Sequence, residues 1–165
     1  MDKWIPRITI GILIVGGLVI AGLLLFPGKQ PIPGSIKSQL SSTLLAPTAA
    51  GYTGSHDTAK YDSSHKLLAF KVTIPGGHSV TVSESPSPSQ FTDITGYFNQ
   101  FINDLGEYEN FGTVNGTVYL THPKNAPQTQ VAVLNTDGTL MFVKPDNNIS
   151  DDQWHAFFNA IQAIR

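Results

Sequence analysis

Residues 66–84 read KLLAFKVTIPGGHSVTVSE, and the reading of the fold starts from them. Leu68, Phe70, Val72 and Ile74 recur at every second position with Lys71 and Thr73 between them. That is the period of a strand with one covered face. Pro75-Gly76-Gly77 interrupts the run and His78 to Glu84 alternates again, so the spacing predicts a β-hairpin. Ser85-Pro86-Ser87-Pro88-Ser89 then breaks the sheet.

Downstream the period changes. Over Phe91–Leu105 a single helix is predicted, with Ile94, Phe98, Phe101, Ile102 and Leu105 as one apolar stripe and Gly106 as its stop. Two further hairpins follow. Tyr108–Val114 is expected to meet Thr117–Thr121 across Asn115-Gly116, and Gln130–Asn135 to meet Thr139–Lys144 across Thr136-Asp137-Gly138. The last helix has Ser150 as N-cap, Asp151 and Asp152 in its first turn, and Gln153 to complete a capping box. Its stripe is Trp154, Phe157, Phe158, Ile161 and Ile164. Hairpin, helix, four strands and helix together predict an α+β domain, an antiparallel β-sheet with helices packed on one face.

Upstream, Gly51–Ser64 is polar and glycine-interrupted and reads as loop with at most one short strand. Ser35–Ala50 places Ile36, Leu40, Leu44 and Leu45 at helical spacing, which predicts a short helix. With Lys37 as its sole basic residue, an interfacial helix lying on a membrane is the weaker alternative. Pro27, Pro31 and Pro33 make an extended spacer before it. Ile8 to Phe26, ITIGILIVGGLVIAGLLLF, holds nineteen residues without a charge. As a helix these would span roughly 28 Å, close to a hydrocarbon core of about 30 Å. The run is longer than a signal-peptide core and no Ala-x-Ala site follows it, so an uncleaved signal-anchor is expected. Lys3 and Arg7 place the N-terminus in the cytoplasm and the remainder outside. The expected organisation is a cytoplasmic stub 1–7, a transmembrane helix 8–26, a Pro/Ser-rich linker 27–50 and an extracytoplasmic domain 51–165. Gly17 and Ala21 form a small-xxx-small pair that would allow a weak homodimer through the membrane helix.

Composition narrows the function classes. Ten Lys+Arg against twelve Asp+Glu give a net charge of −2, without the basic face of a nucleic-acid binder. With no cysteine there is no disulfide framework, thiolate nucleophile or cysteine zinc site. His56, His65, His78, His122 and His155 stand at no metal-helix spacing. Gly76-Gly77-His78-Ser79 joins two strands, where a nucleophile elbow needs a strand-to-helix turn. The segment 146–152 is oxygen-rich but lacks the central glycine and the bidentate glutamate of a calcium loop. Asp104, Glu107 and Glu109 read as a solvated edge, and Asn115-Gly116-Thr117 and Asn148-Ile149-Ser150 match glycosylation sequons that also arise by chance. No catalytic, cofactor-binding or metal-binding residue is assigned.

Ala50-Gly51-Tyr52-Thr53, the strand Val80-Thr81-Val82-Ser83-Glu84-Ser85-Pro86, and Leu140-Met141-Phe142 leading to Ile149-Ser150 carry a resemblance. The chain resembles uncharacterised single-pass membrane proteins of candidate-phylum bacteria with a small extracytoplasmic domain. Its latter half is similar to the domain of unknown function of some bacterial anti-sigma regulators, itself like a lipoprotein-carrier sheet, over most of residues 45–165. The sigma-binding segment of those regulators has no counterpart here, and the family offers no catalytic residue to carry over. The resemblance implies a fold and a cell-envelope location. The expected function is therefore a non-enzymatic, membrane-anchored interaction or sensor module of the bacterial cell envelope. Its partners would be the lipid bilayer, through Ile8 to Phe26, and an envelope protein or lipid ligand. The alternative is a carrier holding an apolar ligand in a cavity walled by Phe70, Phe98, Phe101, Phe142, Trp154 and Phe158.

Overall fold

Nine strands and three helices follow one another among residues 40 and 42–164, which the computed structural model describes. They are β1 (Leu44–Pro47), β2 (Thr53–Asp62), β3 (Leu67–Thr73), β4 (Ser79–Pro86), α1 (Gln90–Asp93) and α2 (Tyr97–Leu105), then β5 (Gly106–Thr113), β6 (Gly116–Pro123), β7 (Val131–Thr136), β8 (Thr139–Pro145), α3 (Asp151–Ala160) and β9 (Ile161–Ile164). Seven strands form one antiparallel sheet in the order β2-β3-β4-β8-β7-β6-β5, and β1 pairs with β9 in a separate ribbon. Two meanders, β2 to β4 and β5 to β8, are thus joined edge to edge where β4 pairs with β8 from Val80↔Pro145 to Pro86↔Thr139.

The 66–84 hairpin forms as read, with Thr73 paired to Ser79 around Pro75-Gly76-Gly77. At the β7–β8 turn, Asp137 and Gly138 both take positive φ (49° and 73°). Two such residues match the right-handed twist of the flanking strands.

The expected α+β class is corrected. Strand dominates the described fold, and its helices lie on opposite faces of the sheet. Side chains alternate across a strand, and β6, β7 and β8 are apolar on both sides. Val118, Leu120, Ala132, Leu134, Met141 and Val143 face α3, where Trp154, Phe157 and Phe158 close a large core. Val133 and Leu140 face the other way into a smaller core with Phe101, Ile102 and Leu105 of α2. Among the described residues no helix is long and apolar enough to cross a membrane. The span expected at Ile8–Phe26 and the stub before it lie outside the described residues.

Five local expectations also change. The predicted helix over Phe91–Leu105 is broken: Gly96 takes φ 79° at the start of α2, and Ile94 is 49% exposed instead of joining the stripe. Phe91 replaces it, folding back with its ring 5.0 Å from Phe98 and 5.1 Å from Phe101. The expected loop at 51–64 is largely the ten-residue strand β2. The described part of the predicted 35–50 helix contains β1 instead, because Leu44–Pro47 finds a partner strand in Ile161–Ile164. For the same reason α3 ends at Ala160 and does not carry Ile161 and Ile164 as a helical stripe. The turn expected at Asn115-Gly116 shifts by one residue to Val114-Asn115, with Thr113 paired to Gly116. There the Asn115 amide donates to the carbonyl oxygens of Ile161 (3.0 Å) and Phe158 (3.4 Å), pinning the hairpin tip to the end of α3.

Candidate functional site

Register places the side chains of one face in rows across the sheet. One row runs Tyr61, Leu68, Glu84, Met141, Leu134, Val118, Phe111, crossing all seven strands. Six members are apolar or aromatic and one is a carboxylic acid. Glu84 has the same parity as Val80 and Val82, so β4 aims it into the larger core, where it is 3% exposed. Strand β1 covers it: the Leu45 N–H donates to Glu84 Oε2 at 3.2 Å, while Oε1 has no hydrogen-bond partner. Burial penalises the charged form and pushes the Glu84 carboxyl up to about 8, and the Leu45 N–H only partly offsets it. Glu84 is therefore chiefly a neutral acid at pH 7. The sequence reading missed it, although its parity with Val80 and Val82 was the available signal.

A second feature lies where β5 and β6 meet the first turn of α3. Glu109, Phe111, Leu120, Asp151, Trp154 and His155 line an open cleft of about 90 Å³, room for a few water molecules at about 30 Å³ each. The His155 ring packs against Phe111 with centroids 4.1 Å apart.

The sheet's two edges differ. Strand β5 pairs with β6 through eight consecutive residues without a register shift, and its outer side meets no strand among the described residues. Glu107, Tyr108 and Glu109 are exposed along it. Strand β2, at the opposite edge, shifts register between Ser55 and Lys60. In that interval the Lys71 N–H donates to the Thr58 hydroxyl at 2.8 Å. Bulges of this kind twist an edge and discourage further pairing.

The structure places the other candidates apart. His65 Nδ1 lies 2.6 Å from Asp62 Oδ2, and that hydrogen bond holds the Asp62 carboxyl down to about 2. His122 Nδ1 sits 3.2 Å from the Pro127 carbonyl oxygen. His78 immediately precedes β4 in the first hairpin, and the side chain of His56 lies outside the described residues. Among the described residues no three His, Asp or Glu side chains are grouped to hold a metal ion. In the 146–152 segment, Asp146 pairs with Lys71 at 3.0 Å. The Asn148 amide donates to the Gln128 carbonyl at 3.1 Å. Ser150 and Gln153 form the capping box. Gln130 Oε1 accepts from the Ile149 N–H and the Trp154 indole (3.0 and 3.3 Å), tying this loop to α3.

The six aromatic residues expected to wall a ligand cavity are divided by the sheet. Phe70, Trp154 and Phe158 belong to the α3 core, whereas Phe98, Phe101 and Phe142 belong to the α2 side. Phe70, Phe101, Trp154 and Phe158 are among the largest fully buried side chains.

No protein-family model, curated protein or solved structure matches the chain.

Proposed function

We propose that this protein is a non-catalytic interaction module of the bacterial cell envelope. It is held at the bilayer by the apolar run Ile8–Phe26, with the described domain on the extracytoplasmic side. It engages an extended segment of an envelope protein by strand addition to β5. The observation that carries this reading is the outer side of β5, eight residues long, in register throughout and without proline, lysine or a bulge. Folded proteins usually blunt such edges, because a row of unpaired N–H and C=O groups templates another strand. Backbone hydrogen bonds would supply affinity there, and alternate side chains would supply selectivity. Asp104, Glu107 and Glu109 are exposed beside the edge and favour a segment carrying lysine or arginine.

The test is site-specific photo-crosslinking of the full chain in a bacterial host, with a photoreactive phenylalanine at Tyr108 on β5 or at Thr53 on β2. The expected result is a discrete protein adduct from Tyr108 and none from Thr53, with the Tyr108 adduct abolished by E107K together with E109K. Equal adducts from both edges, or a Tyr108 adduct indifferent to charge reversal, would overturn the binding mode. A C-terminal reporter active only inside the cell would overturn the location.

A further inference from the structure

The β1–β9 ribbon rests on the α3 side of the large sheet and contributes Leu44, Leu45, Ala46 and Ile161 to its core. Among the described residues, the Ile161 N–H donates to the Phe158 carbonyl at the end of α3, and four more hydrogen bonds fasten the ribbon to neighbouring elements. The Thr139 hydroxyl donates to the Thr43 carbonyl (2.9 Å), the Thr48 N–H to the Ala160 carbonyl (3.0 Å), and the Asn115 amide to the Ile161 carbonyl (3.0 Å). The fourth is the Leu45 N–H donating to Glu84 at 3.2 Å. Only this fourth fastening titrates.

What surrounds Glu84 decides how its two states differ. Leu68 of β3 and Met141 of β8 flank it, and Leu45 of β1 lies over it. From α3 the core receives Trp154, Phe157 and Phe158, while Asp151, Asp152 and His155 are on the exposed side. Among the described residues, the titratable groups packed against this core are Tyr52, beside Phe157, and Tyr61, one strand beyond Leu68 in the same row. Neither brings a positive charge. An ionised Glu84 would hold one N–H bond and an unpartnered Oε1 in apolar surroundings, an arrangement relieved by admitting water. The route for water that displaces least is beneath the ribbon, which is only two strands wide and four residues long.

We propose that Glu84 is a proton-operated latch on the β1–β9 ribbon: with the carboxyl neutral the ribbon is seated, and loss of the proton to solvent releases it while the seven-stranded sheet stays folded. The latch does not rest on the reading of the β5 edge. Its pH window follows from linkage. A carboxyl that holds its proton when covered and loses it more readily when uncovered makes opening more favourable as pH rises between the two pKa values. Burial raises the covered Glu84 carboxyl from an ordinary value of 4.5 to about 8. Opening therefore grows by about tenfold per pH unit inside that interval and levels off above it.

Hydrogen exchange on the full chain in detergent micelles, corrected for intrinsic exchange rates, tests the latch between pH 5.5 and 7.5. Expected is about a tenfold loss of protection per pH unit at the amides of Leu44–Pro47 and Ile161–Ile164. Over the same range the amides of β6 and β7 hold their protection. E84Q and E84L each remove the pH dependence from the ribbon, and either variant suffices should the other fold poorly. A ribbon with flat protection in the wild type, a loss shared equally by β6 and β7, or a slope that survives both substitutions would overturn the proposal.

Discussion

On the α3 face of the sheet, the row from Tyr61 to Phe111 is apolar or aromatic at every strand but one. The opposite face is apolar from β6 to β8 and polar at β4, where Thr81, Ser83 and Ser85 take the positions facing away from α3. Helix length accounts for the difference. Nine residues of α2 span about 14 Å, and strands lie about 4.8 Å apart, so such a helix covers about three of them. With ten residues α3 does little better. Its face is covered fully because the β1–β9 ribbon completes the layer. The polar half of the other face carries Lys71 and Lys144 on either side of Thr81, with Lys71 paired to Asp146. Thr81, Ser83 and Ser85 are nevertheless buried, so this half of the face is polar without being open to solvent.

Core substitutions would break this comparison most directly. Trp154→Ala removes a fully buried ring stacked on Phe158 and the indole bond to Gln130. Urea denaturation should show a loss of about 4–5 kcal/mol, near the top of the range for such truncations. Phe101→Ala empties the smaller core, where Phe91 and Phe98 can settle into the space. The same measurement should give about 3 kcal/mol. A larger loss at Phe101 than at Trp154 would reverse the order of the two faces.

Glu84 sharpens the comparison, since it is the one buried acid among the described residues. Burial pushes its carboxyl up to about 8 in the fold against 4.5 when exposed. Between those values the folded chain binds the proton that the unfolded chain has released, so stability falls as pH rises. Going from pH 5.5 to 7.5 should cost about 2–3 kcal/mol in the wild type. The same titration of E84Q should be level with respect to this group, and an unchanged slope would show that Glu84 is already solvated. Ser150→Ala touches only the start of α3, where the hydroxyl accepts the Gln153 N–H at 3.4 Å. A loss of about 1 kcal/mol in thermal or urea unfolding is expected, the smallest effect of the series.

Much of the sheet was legible because its signals are local. The Leu68–Ile74 alternation and the Ser150–Gln153 box act within a few residues and stand where the sequence placed them, while the Thr136-Asp137-Gly138 turn tightens to Asp137-Gly138 with Thr136 paired to Thr139. The α2 stripe was legible in part: Phe98, Phe101, Ile102 and Leu105 pack as expected, but Gly96 ended the helix that Ile94 was to continue. Coverage on both faces had a signal that alternation hides. Val131–Leu134 and Leu140–Val143 are unbroken apolar runs, as befits strands covered on both sides. Of the candidate sites, the uncovered edge at β5 was legible only as a solvated acidic strand. Glu84 was legible only in its parity.

Sequence alone determined the apolar run at 8–26, the charge balance, the hairpin around Pro75-Gly76-Gly77 and the capped start of the last helix. These depend on side-chain period, turn stereochemistry and hydrogen bonds spanning three or four residues. Tertiary structure alone decided that α2 and α3 take opposite faces, that β4 pairs with β8, and that Leu44–Pro47 and Ile161–Ile164 become a ribbon rather than two helical turns. A strand gains its hydrogen bonds from a partner more than a hundred residues away, which no local pattern encodes, and the same distant partner buries Glu84.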